Sequence, residues 1–119
     1  MVSILEYIKD EMPKRFENYV AVELKSMIES RNDKGIGLYE PFFIRTRDGK
    51  ESDFLIAKDQ KPWCLFEVKT KDGAIERHHI KHAGLLGGIP VVQICLEDRV
   101  LKKSDENGIR VSASRFFSR

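Results

Sequence analysis

The chain reads as an α+β protein, a mixed β-sheet flanked by helices, in the order helix, three strands, helix, strand. Three observations carry that expectation. A helical hydrophobic period runs through residues 13–30. Three strand-like runs separated by short turns follow it. A helical segment then leads from the third run to a continuous apolar fourth run.

Residues 3–12 have helical character, and Pro13, which suits the first turn of a helix, predicts a break and a fresh start there. Phe16, Val20, Leu24, Met27 and Ile28 recur at i, i+4, i+8, i+11 and i+12, one stripe of an amphipathic helix ending near Ser30. Glycines and polar residues over 31–37 stop it. Residues 38–47 are rich in aromatic and β-branched side chains and predict a strand, with Pro41 marking an edge or a bulge. Asp48-Gly49 is a two-residue hairpin signal leading into a strand over 51–57. A polar turn over 58–62, closed by Pro62, precedes a third strand over 63–70.

After a loop at 71–73, a second helix is expected over 74–86, ended by Gly87-Gly88-Ile89-Pro90. Val91 to Leu96 then reads as a buried strand, and 109–111 as a short final one before the Phe116-Phe117 tail. Short turns make the first three strands antiparallel neighbours. A helical crossover makes the third and fourth a parallel pair.

The 119 residues suit a single domain spanning 1–119, with 41% hydrophobic and 34% charged residues. Twenty-one Lys and Arg against 19 Asp and Glu leave a formal charge of +2, so any nucleic-acid footprint must come from local clustering. Cys64 and Cys95 lie in apolar runs and read as buried free thiols. No apolar stretch approaches the ~20 residues needed to span a bilayer, and the start lacks a signal-peptide layout, so a cytoplasmic protein is expected.

The chemistry concentrates in Asp53, Glu67 and Lys69. Glu67 and Lys69, two apart on the third strand, leave from one face together with Leu65, while Phe66 and Val68 point the other way. A carboxylate and an ammonium in so apolar a run are costly to desolvate unless they are paired or hold an ion. With ordinary hairpin register Asp53 stands beside Glu67. Glu23 falls on the apolar stripe of the first helix and adds a third acid. A hard cation such as Mg²⁺ takes carboxylate oxygens and polarises a phosphoryl group, and Lys69 is suited to orient water or phosphate. The bland alternative is a Glu67–Lys69 pair on a solvated sheet face.

Glu23, Asp53 and then Glu67-Val68-Lys69, in that order, resemble the PD-(D/E)xK nuclease superfamily, with its Holliday-junction resolvases and restriction endonucleases. That superfamily's core is a restriction-endonuclease-like α-β-β-β-α-β arrangement. The resemblance implies catalytic roles for Glu23, Asp53, Glu67 and Lys69, and a Mg²⁺ (or Mn²⁺) ion on Asp53, Glu67 and the Val68 carbonyl. It implies DNA phosphodiester hydrolysis, by an endonuclease or an exonuclease. Phe16 to Leu24, Asp48 to Phe54 and Phe66 to Lys69 resemble more narrowly the nuclease-like domain at the C-terminus of archaeal and bacterial AAA+ ATPases. The likeness covers roughly 14–117. Ser52 stands where the superfamily has proline, and no G-x-x-x-x-G-K-[ST] loop occurs, so this chain is not itself the ATPase. It would be free-standing or part of a larger ATPase, and a homodimer is compatible. A catalytically silent nuclease-like module that binds DNA or protein is the rival expectation.

Arg77, His78 and Lys81 on the second helix are the candidate phosphate contacts. His78 and His82 are spaced to chelate a metal, but no further histidine is available to close a zinc site, and His79 and His82 share a stripe with Ile75, Ala83 and Leu86. Gln93, in the buried fourth strand, needs a partner. Lys102, Lys103, Arg110, Arg115 and Arg119 make the C-terminal portion basic, as a solvated surface or a backbone-tracking patch.

Overall fold

A computed structural model describes residues 4–45, 52–104 and 107–118, with side chains described over 14–42, 54–103 and 107–118. Its elements are α1 (Ile4–Asp33), β1 (Tyr39–Arg45), β2 (Ser52–Lys58), β3 (Lys61–Lys69), α2 (Arg77–Leu85), β4 (Val91–Cys95), β5 (Leu101–Ser104), β6 (Gly108–Ser112) and the single turn α3 (Ala113–Phe116). Six strands form one mixed sheet in the order β1-β2-β3-β4-β6-β5. The pairs β1–β2, β2–β3 and β5–β6 are antiparallel, and β3–β4 and β4–β6 are parallel. The expected α+β class, with its mixed sheet flanked by helices, is therefore the observed architecture.

The expected break at Pro13 is absent: α1 is one helix of 30 residues. Proline already holds a helix-compatible φ, so an interior proline forfeits one backbone hydrogen bond and strains the preceding turn, at about 3 kcal/mol. The rest of a long helix can carry that. Phe16, Val20, Leu24 and Ile28 on α1 are buried against Phe54, Ile56, Phe66, Val92, Ile94 and Val111. Each such side chain contributes about 1.5–3 kcal/mol. The helix ends in a Schellman arrangement: Ile36 N–H donates to Arg31 O, Gly35 N–H donates to Asn32 O, and Gly35 has φ +71°. Asn32 then ties α1 to β1. Its Oδ1 accepts from Tyr39 N–H at 2.8 Å, and its amide donates to Tyr39 O at 3.1 Å.

The Asp48-Gly49 hairpin lies outside the described residues. The next turn is tighter than the polar segment 58–62 suggests. Asp59 and Gln60 take φ of 51° and 68°, and Pro62 lies inside β3. Both positive φ values fit a type I′ hairpin, whose twist matches the flanking strands. Asp59 Oδ1 holds Leu38 N–H at 2.9 Å, which compensates for the missing glycine. Residues 74–76 precede α2 rather than belonging to it. The polar stretch after β4 holds β5, an unexpected edge strand that pairs with β6. Its Lys102 and Lys103 are exposed, as an edge strand favours.

Alternation along the strands separates two cores. α1 and α3 cover the face of Phe66, Val92 and Val111. α2 covers the other face, where Leu65, Ile75, Ala83 and Val91 form a smaller cluster. Glu67, Lys69 and Gln93 belong to this second face.

Candidate functional site

Asp53 and Glu67 are register partners across the β2–β3 hairpin, and Glu67 is in turn the register partner of Gln93 on β4. Gln93 pairs with Arg110 on β6, and Arg110 with Lys102 on β5. A row of polar and charged positions thus crosses five strands, acids at one end and cations at the other. The side chain of Asp53 lies outside the described residues.

Glu67 is 3% exposed. Its Oε1 lies 3.2 Å from Lys69 Nζ and 3.2 Å from His79 Nε2, the latter on a fully buried imidazole. Neither contact has hydrogen-bonding alignment, and Oε2 has no hydrogen-bond partner among the described residues. A buried carboxylate so held is expensive to maintain and calls for an explanation. Lys69 donates its hydrogen bond to Glu76 Oε1 at 3.2 Å. Burial lowers the Lys69 pKa, but the charge of Glu67 and the contacts with Glu67 and Glu76 outweigh it, so the ammonium is held above its ordinary range.

The backbone contributes as well. The β2–β3 register ends at Asp53–Glu67. Lys69 O accepts from Leu96 N–H on the β4 side. Adjacent carbonyls on a strand point to opposite sides, so the Val68 carbonyl faces the β2 side, just beyond the last register pair.

The loop after β3 is pinned from the sheet. Asp72 accepts a bidentate pair from Arg110 (2.9 and 2.7 Å) and a further bond from Lys102 (2.9 Å). The bonds from Arg110 and Lys102 pull the Asp72 pKa down to about 2 despite partial burial. Gly73 N–H donates to Gln93 Oε1 at 3.4 Å, the partner that the buried glutamine needed, although Gln93 Nε2 has none among the described residues. This pinning turns the chain back over β3, so Glu76, at the N-cap of α2, meets Lys69, and His79 drops onto Glu67.

Of the expected site residues, Glu67 and Lys69 meet, and Asp53 occupies the neighbouring strand position. Glu23 does not join them. It sits on α1, over the opposite face, and lines a hollow with Met27, Lys34, Phe116 and Phe117. The helical stripe put Glu23 toward the sheet without revealing which of its two faces α1 covers. Arg77, His78 and Lys81 line an open depression on the outer side of α2 with Ile80. His82 is exposed, whereas the expected stripe had it partly buried beside His79. α2 starts three residues later than expected, and its buried positions are His79 and Ala83. Sequence reasoning missed Glu76 and the Asp72–Arg110 pair entirely. It placed His79 on an apolar stripe, the one available signal, without its partner. Both cysteines are buried and free, and burial pushes the Cys64 thiol up to about 12.

The fold and site define an α+β protein with a buried carboxylate–lysine–histidine centre at the carboxyl ends of its parallel strands, where open α/β sheets place their ligands. A family model described as a domain of unknown function, DUF4143, matches residues 14–113, and the chain belongs to that family. Domains of this family are often found with AAA+ ATPases. No curated protein and no solved structure matched the chain. Among the described residues, no helix is long and apolar enough to cross a membrane.

Proposed function

We propose that this protein is a metal-dependent nuclease that hydrolyses DNA phosphodiester bonds, with Asp53, Glu67 and Lys69 as its centre. The observation that carries the reading is Glu67: an acid 3% exposed, opposite a second acid across the hairpin, with one oxygen lacking a hydrogen bond among the described residues. Burial of that kind suits a group whose partner is a bound cation.

The residues fit Mg²⁺ or Mn²⁺. Glu67, the Val68 carbonyl and Asp53, the register partner of Glu67, would supply hard oxygen donors at the end of the β2–β3 pairing, and Lys69 ion-pairs with both Glu67 and Glu76, which His79 and His78 also approach. When bound there, the ion polarises a phosphoryl oxygen and acidifies water. Lys69, charged and tethered by Glu76, positions the attacking water and stabilises charge growing on the phosphate. Arg77 and Lys81 on the exposed side of α2 bind flanking phosphates as fixed cations. Glu23 has no part in this centre.

A second reading has an observation of its own. Lys69 and His79 both crowd Glu67 Oε1 at 3.2 Å, as they would in a closed centre that no longer takes an ion. The domain would then be a DNA- or protein-binding appendage of an AAA+ ATPase. Incubation with linear, nicked and branched DNA in Mg²⁺ or Mn²⁺ separates the two. Cleavage by the wild type, abolished by Asp53→Ala and by Lys69→Ala, supports the nuclease. Retarded but uncut DNA means the binding module.

A further inference from the structure

Beyond the strand acids, α2 opens with a second group of potential ligands, of which the phosphodiester chemistry uses only Glu76, and that as a tether for Lys69. One carboxylate oxygen of Glu76 and one ring nitrogen each of His78 and His79 lie within 4.8 Å of one another. Glu76 Oε2 is 3.2 Å from His78 Nδ1. Two donors at about 2.0–2.1 Å on a tetrahedral ion stand about 3.3 Å apart, so this pair already has the spacing of two ligands. The ring centroids of His78 and His79 are 3.9 Å apart with the planes tilted by 43°, which brings the third donor in.

Each end of this group is braced from β3. Glu76 has its other oxygen, Oε1, on Lys69 Nζ at 3.2 Å, leaving Oε2 on the His78 side. Glu67 Oε1 stands 3.2 Å from His79 Nε2, so an ion taken by this ring would sit on its Nδ1 side. A carboxylate behind a ligating imidazole is the usual outer support of a transition metal: it fixes the tautomer and makes the ring a better donor. Glu67 is 3% exposed and neither of its oxygens has an aligned hydrogen bond among the described residues, so a buried acid stands behind the cluster with its bond to Nε2 still to be made.

We infer that Glu76 Oε2, His78 Nδ1 and His79 Nδ1 form a three-ligand site for a divalent transition ion of the Zn²⁺ class. Two imidazoles and one carboxylate favour such an ion over Mg²⁺, which wants oxygen donors and six-fold geometry. Glu76 and His78 are partly exposed, so the fourth position faces solvent and takes water or an anionic ligand. The site shares Glu67 and Lys69 with the proposed Mg²⁺ centre, here as supports and not as ligands, and its ligands stand whether or not the protein cuts DNA.

Cobalt(II) tests it directly. Untagged protein stripped with chelator and titrated with Co²⁺ should develop the strong visible absorption of a four- or five-coordinate centre, saturating at one equivalent per chain, whereas Co²⁺ on six oxygen donors absorbs only weakly. Zn²⁺ should displace it stoichiometrically. His78→Ala and Glu76→Gln change partly exposed side chains, and circular dichroism checks that they fold. Each should weaken Co²⁺ binding at least tenfold. Lys69→Met, which removes the brace, should weaken it by about tenfold. Asp53→Ala should retain the spectrum. The inference is overturned if no visible bands appear, if both ligand variants bind as tightly as wild type, or if Asp53→Ala abolishes the bands, which would put the ion on the strand acids.

Discussion

Glu67 and Lys69 form one ion pair, yet their removal should have opposite consequences. Oε1 and Nζ are 3.2 Å apart, with Glu67 3% and Lys69 28% exposed. At an effective dielectric near 20 that separation is about 5 kcal/mol of attraction. Partial hydration of Lys69 and its sharing with Glu76 reduce what its loss costs. Lys69→Met should therefore destabilise by about 2–3 kcal/mol, below the 3–5 expected where a pair is wholly buried. For a domain this size that lowers Tm by about 8–12 °C. Glu67→Gln is the reverse case. It removes the charge whose desolvation is the burden, while Lys69 keeps Glu76 at 3.2 Å. Its stability should stay within about 1 kcal/mol of wild type, although the proposed nuclease activity disappears. The double variant should recover most of what Lys69→Met loses. Urea and thermal unfolding of the four proteins at neutral pH, without divalent ions, measures this. If Glu67→Gln is as costly as Lys69→Met, or the two losses simply add, Glu67 is a structural acid and the reasoning fails.

Three further outcomes follow from the same geometry. The folded Asp72 carboxyl titrates at about 2, below its unfolded value, so its contribution is complete above about pH 4 and is lost as pH falls from there toward 2. Asp72→Asn should therefore be about 1–2 kcal/mol less stable than wild type at pH 7, the difference shrinking from about pH 4 and vanishing only as pH falls through about 2 in urea unfolding. Gln60 holds φ 68° in the β2–β3 turn, so Gln60→Gly should raise stability by about 0.5–1 kcal/mol, read from the urea midpoint. Cys64 is buried with its thiol pushed up to about 12, and Cys95 is fully buried with its pKa also raised. Neither should react with a disulfide thiol reagent at pH 8 until the protein unfolds, and both should then react.

Patterns that depend on near neighbours were legible in the chain. The α1 stripe, the three antiparallel strands, the parallel β3–β4 pair and the opposition of Asp53 to Glu67 all rest on periods of 3.6 and 2 and on short connections. Pro13 misled because a proline's preference for a first turn does not forbid an interior position when the helix around it is anchored elsewhere. β5 escaped because an edge strand with exposed lysines carries little of the apolar alternation that marks a strand.

What the sequence determined alone was the order of the elements from α1 to β4 and the one strand that pairs an acid with a lysine, because local spacing sets which face a residue takes. Only the tertiary structure decided which face of the sheet each helix covers. That choice put Glu23 behind the sheet and brought Glu76 and His79 over Glu67 and Lys69. The reason is that apolar stripes say that a helix must be buried, while the loop after β3, clamped by Asp72 to Arg110 38 residues away, fixes where α2 lands.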